Sequence, residues 1–159
     1  SSDEMEGLSY EDLSDPKWKG RVAIRSSGNM YNQSLVSSLI ANHGVDATEA
    51  WAKDFVGNFA RKPEGNDRAQ IMAVANGEAD IAVANSYYIG LMLSGKKGEE
   101  QQSAARKVEL HFPGQNGRGA HINVSGAGLL KNAPNKGNAV KFIEFLLTDE
   151  AQSLSLIHI

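Results

Sequence analysis

Three of the four tyrosines in the chain stand just beyond two short apolar runs. Tyr31 follows the run at residues 21–25, and Tyr87 and Tyr88 follow the run at residues 80–85. A phenol has a pKa near 10, so it becomes a phenolate at neutral pH only beside a strongly positive centre such as a trivalent cation. Because phenolate oxygens are hard donors, such a cluster favours ferric iron over zinc or cuprous copper. The alternative stays open, since tyrosines at helix starts also pack their rings and point their hydroxyls to solvent.

A polar loop beside the first run indicates an anion site. Ser26 and Ser27, followed by Gly-Asn, precede a helix predicted over about residues 31–42, whose free N–H groups are suited to carbonate, phosphate or a carboxylate. Arg68, in the first turn of another predicted helix, is a candidate to neutralise that anion. Ordinary N-capping is the alternative for the serines. For Asp67, capping of its own helix is the favoured interpretation over a role as a catalytic acid.

The predicted elements bring the two loops together. Both runs are expected to be buried strands of a mostly parallel sheet, and ligands bind beyond the carboxyl ends of such strands. The order of elements is α/β, with strands predicted at 21–25, 80–85, 108–112 and 121–124. Helices are predicted from about 31 to 42, 46 to 59, 67 to 76, 87 to 93 with a polar extension at 101–107, and 135 to 152.

Composition excludes several other classes of protein. The chain has 159 residues, is 41% hydrophobic and 22% charged, and carries a net charge of -3. This composition argues against a disordered chain and against a dedicated nucleic-acid binder. No apolar run is long enough to predict a membrane span. The chain has no cysteine, so it has no disulfides, thiolate metal sites or cysteine nucleophiles.

Several segments resemble one family, the periplasmic ferric-iron-binding proteins that serve as substrate-binding proteins of bacterial ABC iron importers. Residues 10–20 resemble the segment by which these proteins enter their second lobe, and residues 24–34 resemble the next motif. Ala-Asn-Ser-Tyr-Tyr at 84–88 is similar to the paired-tyrosine iron motif and is the most specific match. Residues 121–128 and the helix at 138–152 resemble the return into the first lobe.

The resemblance implies a fold and a ligand set. The fold would be the second lobe of a periplasmic-binding-protein-like (type II) α/β protein. Tyr87 and Tyr88 match the paired iron ligands, and Tyr31 matches a further ligand in the subclass that uses mostly tyrosines and little or no anion. The ion would be Fe³⁺, with a carbonate-like anion as an optional companion. Arg25 and Asn85 are candidates to contact and orient the ligand side chains without binding the ion themselves.

The resemblance also implies a division of the chain. We expect an inter-lobe segment at 1–20, the second lobe at 21–118, and an incomplete return segment at 119–153. The first lobe and a signal peptide are expected to lie outside this sequence, and the chain alone should bind iron weakly.

Residues 154–159 back-translate to CTG TCT CTT ATA CAC ATC, which resembles a sequencing adapter, so we interpret them as read-through. A natural apolar tail is the alternative.

The predicted function is extracytoplasmic binding of ferric iron for import. The expected partner is an ABC importer permease, and the expected state is a periplasmic monomer that binds no nucleic acid and has no membrane span. A second hypothesis keeps the two-lobed fold but assigns a small anion, a polyamine or a thiamine-like ligand. A third, an α/β enzyme, lacks support because no nucleophile–base arrangement is found in the sequence.

Overall fold

The computed structural model describes residues 2–124 and 126–156, and the chain divides into two compact units, Ser1–Ile122 and Asn123–Ile159. None of the helices in these ranges combines the length and the apolar character needed to cross a bilayer. The strands are β1 (Val22–Ile24) and β2 (Ile81–Val83). The helices are α1 (Ser2–Met5), α2 (Met30–His43), α3 (Val45–Gly57), α4 (Asp67–Ala75), α5 (Ser86–Leu93), α6 (Glu99–Ala105), α7 (Lys136–Leu146) and α8 (Asp149–Leu156).

A two-stranded parallel sheet forms the centre of the first unit. Its register pairs Val22 with Ile81 and Ile24 with Val83, as the α/β pattern predicts. A bridge from Val22 to Phe59 extends the pairing on the other side of β1. Both strands are shorter than the apolar runs that predicted them. Their parallel arrangement brings the carboxyl ends of both strands to the same edge.

Hydrophobic side chains cover the sheet from several elements. One cluster surrounds β1 and includes Trp18, which is 1% exposed. A second cluster joins α4, α5 and α6, so the helix that follows β2 is fixed to the helix that precedes it. The buried members of the first cluster are Leu8, Leu13, Trp18, Val22, Ile24, Phe55 and Ile81, and those of the second are Ile71, Ile89, Met92, Ala104 and Ala105.

A buried amide fastens the segment that leads into β1. Asn58 follows α3, and its Nδ2 donates to the carbonyl of Leu13 at 2.9 Å and to that of Asp15 at 2.8 Å. Its own carbonyl accepts from the N–H of Val22 at 3.2 Å. Because Leu13 and Val22 are buried, their backbone groups need a partner within the protein. Asn58 therefore joins the lead-in, β1 and α3.

The segments that enter and leave the first unit lie side by side. The carbonyl of Leu8 accepts from the N–H of Gly114 at 2.9 Å, and the hydroxyl of Tyr10 accepts from the N–H of His121 at 3.1 Å. The ring of His121 lies 2.9 Å from the hydroxyl of Ser34 on α2. Within the first unit, these contacts hold the irregular segment 114–121 against the start of the chain and against α2.

Two predicted strands, 108–112 and 121–124, are wrong. Both segments are irregular, and the described part of the chain contains β1 and β2 as its strands. A strand needs a neighbour for its backbone groups, and alternation of apolar residues does not provide one. Ile122 and Val124 are 73% and 82% exposed, so neither apolar side chain is packed against the described residues as a buried strand would require.

In the second unit, the single helix predicted from the sequence is observed as two helices. The pattern at 135–152 predicts a continuous helix, but α7 ends at Leu146 and α8 begins at Asp149. Thr148 explains the break, because its hydroxyl accepts from the N–H of Ala151 and so caps α8. Residues 154–156 of the predicted read-through complete α8, whereas 157–159, like Ser125 of the family-like segment, lie outside the described residues.

Replacing Asn58 tests the buried amide. We expect Asn58→Ala to lower the free energy of unfolding by about 1–3 kcal/mol, because the buried carbonyl of Leu13 and the partly buried bond to Asp15 lose their donor. Urea unfolding followed by circular dichroism measures the change. Asn42→Ala, at an exposed position near the end of α2, is the matched control and should stay within about 0.5 kcal/mol of the parent. Equal effects of both substitutions would contradict the role given to Asn58.

Glu11 predicts a specific dependence of stability on pH. Partial burial pushes the pKa of Glu11 upward, but hydrogen bonds from His43 and Arg118 outweigh it, so the net pKa is lowered from 4.5. A lowered pKa stabilises the fold above the unfolded value, and this stability is lost as the pH falls through the lowered value. We expect Glu11→Gln to lose about 0.5–1 kcal/mol at neutral pH and to flatten the acid limb.

Unfolding of the variant measured from pH 7 downward checks this expectation. Glu49→Gln is the control, since Glu49 pairs with Lys53 in an exposed i,i+4 bridge. That control should keep the acid limb of the parent. An unchanged acid limb in Glu11→Gln would show that the contacts with His43 and Arg118 do not hold the carboxylate in its charged form.

Candidate metal site

Tyr31 is positioned by the loop that follows β1. Asn29 caps α2, and its Oδ1 accepts from the N–H of Tyr31 at 2.9 Å. Asn32 turns back over the loop, where its Nδ2 donates to the carbonyl of Arg25 at 2.7 Å and to that of Ser26 at 3.2 Å. The helix begins here because the side chain of an asparagine at the N-cap accepts from one of the first N–H groups of the helix, which have no partner within it. Tyr31 therefore lies in the first turn of α2, near the carboxyl end of β1.

Tyr87 and Tyr88 are positioned in the same way by β2. Asn85 is the N-cap residue of α5, so both tyrosines fall in the first turn of that helix. Consecutive residues of a helix point about 100° apart, yet the two rings remain in contact with centroids 4.5 Å apart and planes inclined by 39°. Ile89 and Met92, on the next turn, are buried and fix α5 to its neighbours.

The structure brings the three predicted tyrosines together. The phenol of Tyr31 lies close enough to those of Tyr87 and Tyr88 to act on the pKa of both, and the rings of Tyr87 and Tyr88 are in contact. Burial raises the pKa of Tyr87 far above its ordinary value of 10, and the neighbouring phenols of Tyr31 and Tyr88 raise it further. Burial likewise raises the pKa of Tyr88. Without a cation, therefore, both phenols are neutral at physiological pH.

A buried carboxylate lies behind the tyrosines. Asp67 begins α4, is 2% exposed, and accepts on one oxygen, Oδ2, from two groups. These are Nη1 of Arg25 at 3.2 Å and Nδ2 of Asn85 at 3.3 Å. Burial raises the pKa of Asp67 above its ordinary value, and the hydrogen bond from Asn85 and the charge of Arg25 offset this increase only in part. Its charge in turn raises the pKa of Tyr88.

This placement corrects the prediction that Asp67 caps its helix. The cap is the preceding residue, Asn66, whose Oδ1 accepts from the N–H of Ala69 at 3.1 Å. An Asn-Asp pair before a helix offers two capping side chains, and sequence alone does not show which one is free for another role. The proximity of Asp67 to Arg25 and Asn85 depends on three separate elements, so no local signal reveals it.

Arg25 connects the carboxylate to the first loop. Its side chain is 18% exposed, and its guanidinium carbon lies 5.6 Å from the centre of the Tyr31 ring. That distance permits a cation–π interaction. Nε of Arg25 is buried and has no hydrogen-bond partner among the residues that the structure describes. Arg25 and Asn85 thus both contact Asp67, and each lies on one of the tyrosine loops.

Ser26 and Ser27 are exposed and are bonded within their loop. The hydroxyl of Ser26 accepts from the N–H of Gly28 at 3.2 Å, and the carbonyl of Ser27 accepts from Gln33 at 3.3 Å. These contacts are those of a local turn. The anion role of the two serines stays a prediction.

Arg68 lies in a different environment. Its Nη1 donates to Gln101 on α6 at 3.1 Å. It lines a surface cavity of about 410 Å³ together with Arg61 and two glutamates, Glu78 and Glu100, and none of the three tyrosines lines this cavity. The two carboxylates offset the positive charge there. The proposed action of Arg68 on an anion beside the tyrosines has no contact to support it in this structure.

The chemistry of the site follows from its donors. Among the described residues no group of three or more histidine and carboxylate side chains is arranged to hold a metal ion. The candidate site is the cluster of Tyr31, Tyr87 and Tyr88, whose phenol oxygens lie close together. Three phenolates would supply three hard oxygen donors and three negative charges, which match a trivalent cation such as Fe³⁺.

Comparison with known proteins identifies related sequences. A family model described as bacterial extracellular solute-binding protein matches residues 2–155. Iron uptake protein A1 of Synechocystis sp. is 58% identical over 144 residues, which cover 91% of this chain and 40% of that protein. The Fe(3+)-binding periplasmic protein of Serratia marcescens is 31% identical over 153 residues, covering 96% of this chain and 43% of that protein. The chain thus spans about 40% of the length of these relatives.

Solved structures agree with the sequence matches. A Trichodesmium protein (IdiA, FutA), described in complex with iron and citrate ligands, superposes with a TM-score of 0.88 at 57% identity. The alignment covers 93% of this chain and 46% of that one. A Bordetella ferric binding protein gives a TM-score of 0.85 at 41% identity, with 93% and 47% covered. The α/β architecture with a small parallel sheet is therefore that of part of a type II periplasmic-binding-protein-like fold.

Proposed function

The chain belongs to the family of bacterial extracellular solute-binding proteins, and we propose that it supplies the tyrosine-bearing lobe of a protein that binds ferric iron for uptake. The single observation that carries this proposal is the convergence of Tyr31, Tyr87 and Tyr88 at one edge of the sheet. The names of the relatives, which include iron uptake and Fe(3+)-binding proteins, support the same ligand.

The metal would be held by the three phenolates and by ligands from outside this chain. The role is capture and release of an ion, without catalysis. The first lobe, closing over the tyrosines, would complete the coordination of the ion, which is the hinge closure typical of two-lobed binding proteins. In this proposal residues 21–118 form the second lobe and 119–153 return to the first, as the sequence predicts.

The cellular setting is part of the proposal. Relatives include a protein named as periplasmic, and we place the complete protein in the same compartment, as a monomer that delivers iron to an ABC importer permease. A carbonate-like or other carboxylate anion is an optional companion of the ion, and one solved structure similar to this chain is described with citrate.

An optical titration tests the iron site. Ferric iron supplied as a weak nitrilotriacetate chelate to the complete protein should produce a visible phenolate-to-iron charge-transfer band. We expect Tyr87→Phe and Tyr88→Phe to weaken or abolish this band, because each removes a phenolate oxygen. The chain alone should show much weaker binding, since part of the coordination sphere lies outside it.

Tyr10 provides the matched control for these substitutions. It is the fourth tyrosine, and its hydroxyl bonds to the backbone of His121 rather than to the cluster. Tyr10→Phe should therefore keep the full band. Absence of any band in the parent protein would overturn the ferric proposal, and equal loss of the band in Tyr87→Phe, Tyr88→Phe and Tyr10→Phe would contradict the assignment of Tyr87 and Tyr88 as ligands.

Proton release provides an independent measurement of the ligands. Because the pKa of Tyr87 and that of Tyr88 are raised, both phenols hold their protons in the metal-free protein and must lose them when they bind the ion. Iron affinity should therefore fall as the pH is lowered. Titration in weakly buffered solution should show that Tyr87→Phe releases one proton fewer per iron than the parent, whereas Tyr10→Phe releases the same number.

A further inference from the structure

We propose that Asp67 is a positioning residue that ties together the two loops carrying the tyrosines. This inference rests on the proposed iron function for its purpose, but its structural basis is independent of any metal. Oδ2 of Asp67 accepts from Arg25 on the loop after β1 and from Asn85 on the loop after β2. One atom on α4 thus joins both segments that place the candidate ligands.

Each arm of this linkage leads directly to a tyrosine. Arg25 reaches from Asp67 to the Tyr31 ring, with 5.6 Å between its guanidinium carbon and the ring centre. Asn85 is the N-cap residue of α5, so its position sets where the first turn with Tyr87 and Tyr88 begins. Because the sheet pairing ends at Ile24 and Val83, no strand hydrogen bonds hold the loops beyond that point. Beyond the last strand pair, the carboxylate of Asp67 therefore connects the two loops through Arg25 and Asn85.

The burial of Asp67 shows that the linkage is not a surface ion pair. Asp67 is 2% exposed, whereas Glu78, which pairs with Arg61 at 3.3 Å, is half exposed. Removing one partner of a buried pair leaves the other without compensation, whereas an exposed pair is screened by water. The same carboxylate-to-amide change at these two positions therefore separates a positioning role from a general charge effect.

Nuclear magnetic resonance of the metal-free chain gives the first test. We expect Asp67→Asn to shift the ring signals of Tyr31, Tyr87 and Tyr88 and to leave those of Tyr10 unchanged. Asn85→Ala, which keeps the ion pair, should shift the signals of Tyr87 and Tyr88 more than those of Tyr31. Glu78→Gln should shift none of them. If Asp67→Asn does not fold, Asn85→Ala decides, and unchanged Tyr87 and Tyr88 signals in that variant would overturn the proposal.

Iron binding by the complete protein gives the second test. Loss of a group that orients metal ligands typically lowers affinity about 10- to 100-fold, and we expect a loss of that size in Asp67→Asn together with a displaced charge-transfer band. Glu78→Gln should keep the parent affinity and band. A folded Asp67→Asn protein with the parent band and affinity would overturn the positioning role.

The two proposals fail in different ways. If the parent protein shows no charge-transfer band, the ferric function is wrong, and the ring signals of the metal-free chain still decide whether Asp67 ties the loops. If the parent binds iron but Asp67→Asn leaves both the ring signals and the band unchanged, the ferric function stands and the role of Asp67 is wrong.

Discussion

The parallel pairing of β1 with β2 is the constraint on which the site depends. The last pair of the ladder, Ile24 with Val83, puts the starts of two loops side by side. From there a few residues suffice for each chain segment to reach a helical first turn. A ladder of three residue pairs is weak by itself. Hydrogen bonds from Asp80 and Ile81 to the carbonyl of Arg21, together with the buried cluster around β1, make it a rigid edge.

The second requirement is that three tyrosines tolerate one another without a cation. Three phenolates so close together would repel one another strongly in a half-buried setting, whereas three neutral phenols would not. Burial and mutual contact raise the pKa of Tyr87 and Tyr88, which keeps both rings neutral. The cluster is therefore assembled before an ion arrives. In the proposed function, an incoming cation would displace protons from groups already in place, so little ordering of side chains would remain to oppose binding.

Those features that depend on local pattern and on strand order could be read from the sequence. The apolar runs, the turn residues after them and the order of helices predict a parallel sheet with Tyr31, Tyr87 and Tyr88 at one edge, and the structure has that arrangement. Where an element needs a distant partner, the sequence is insufficient. The alternating residues at 121–124 look like a strand, but they have no neighbouring strand within the described residues. Likewise, nothing near Asp67 in the sequence shows that it meets Arg25 and Asn85.

In the proposed iron site, the ion pair of Arg25 and Asp67 would determine how the charge of a bound cation is balanced. Arg25 and Asp67 neutralise each other, so they leave the base of the site without net charge. Three phenolates then match the charge of Fe³⁺, and an anion would complete the coordination number without being needed for charge. Arg25 could still offer an anion N–H donors, among them the buried Nε, but not an unmatched positive charge. An arginine without a carboxylate partner at this position would instead require an anion. The resemblance of Tyr31 to the subclass that uses mostly tyrosines thus has a physical counterpart in Asp67.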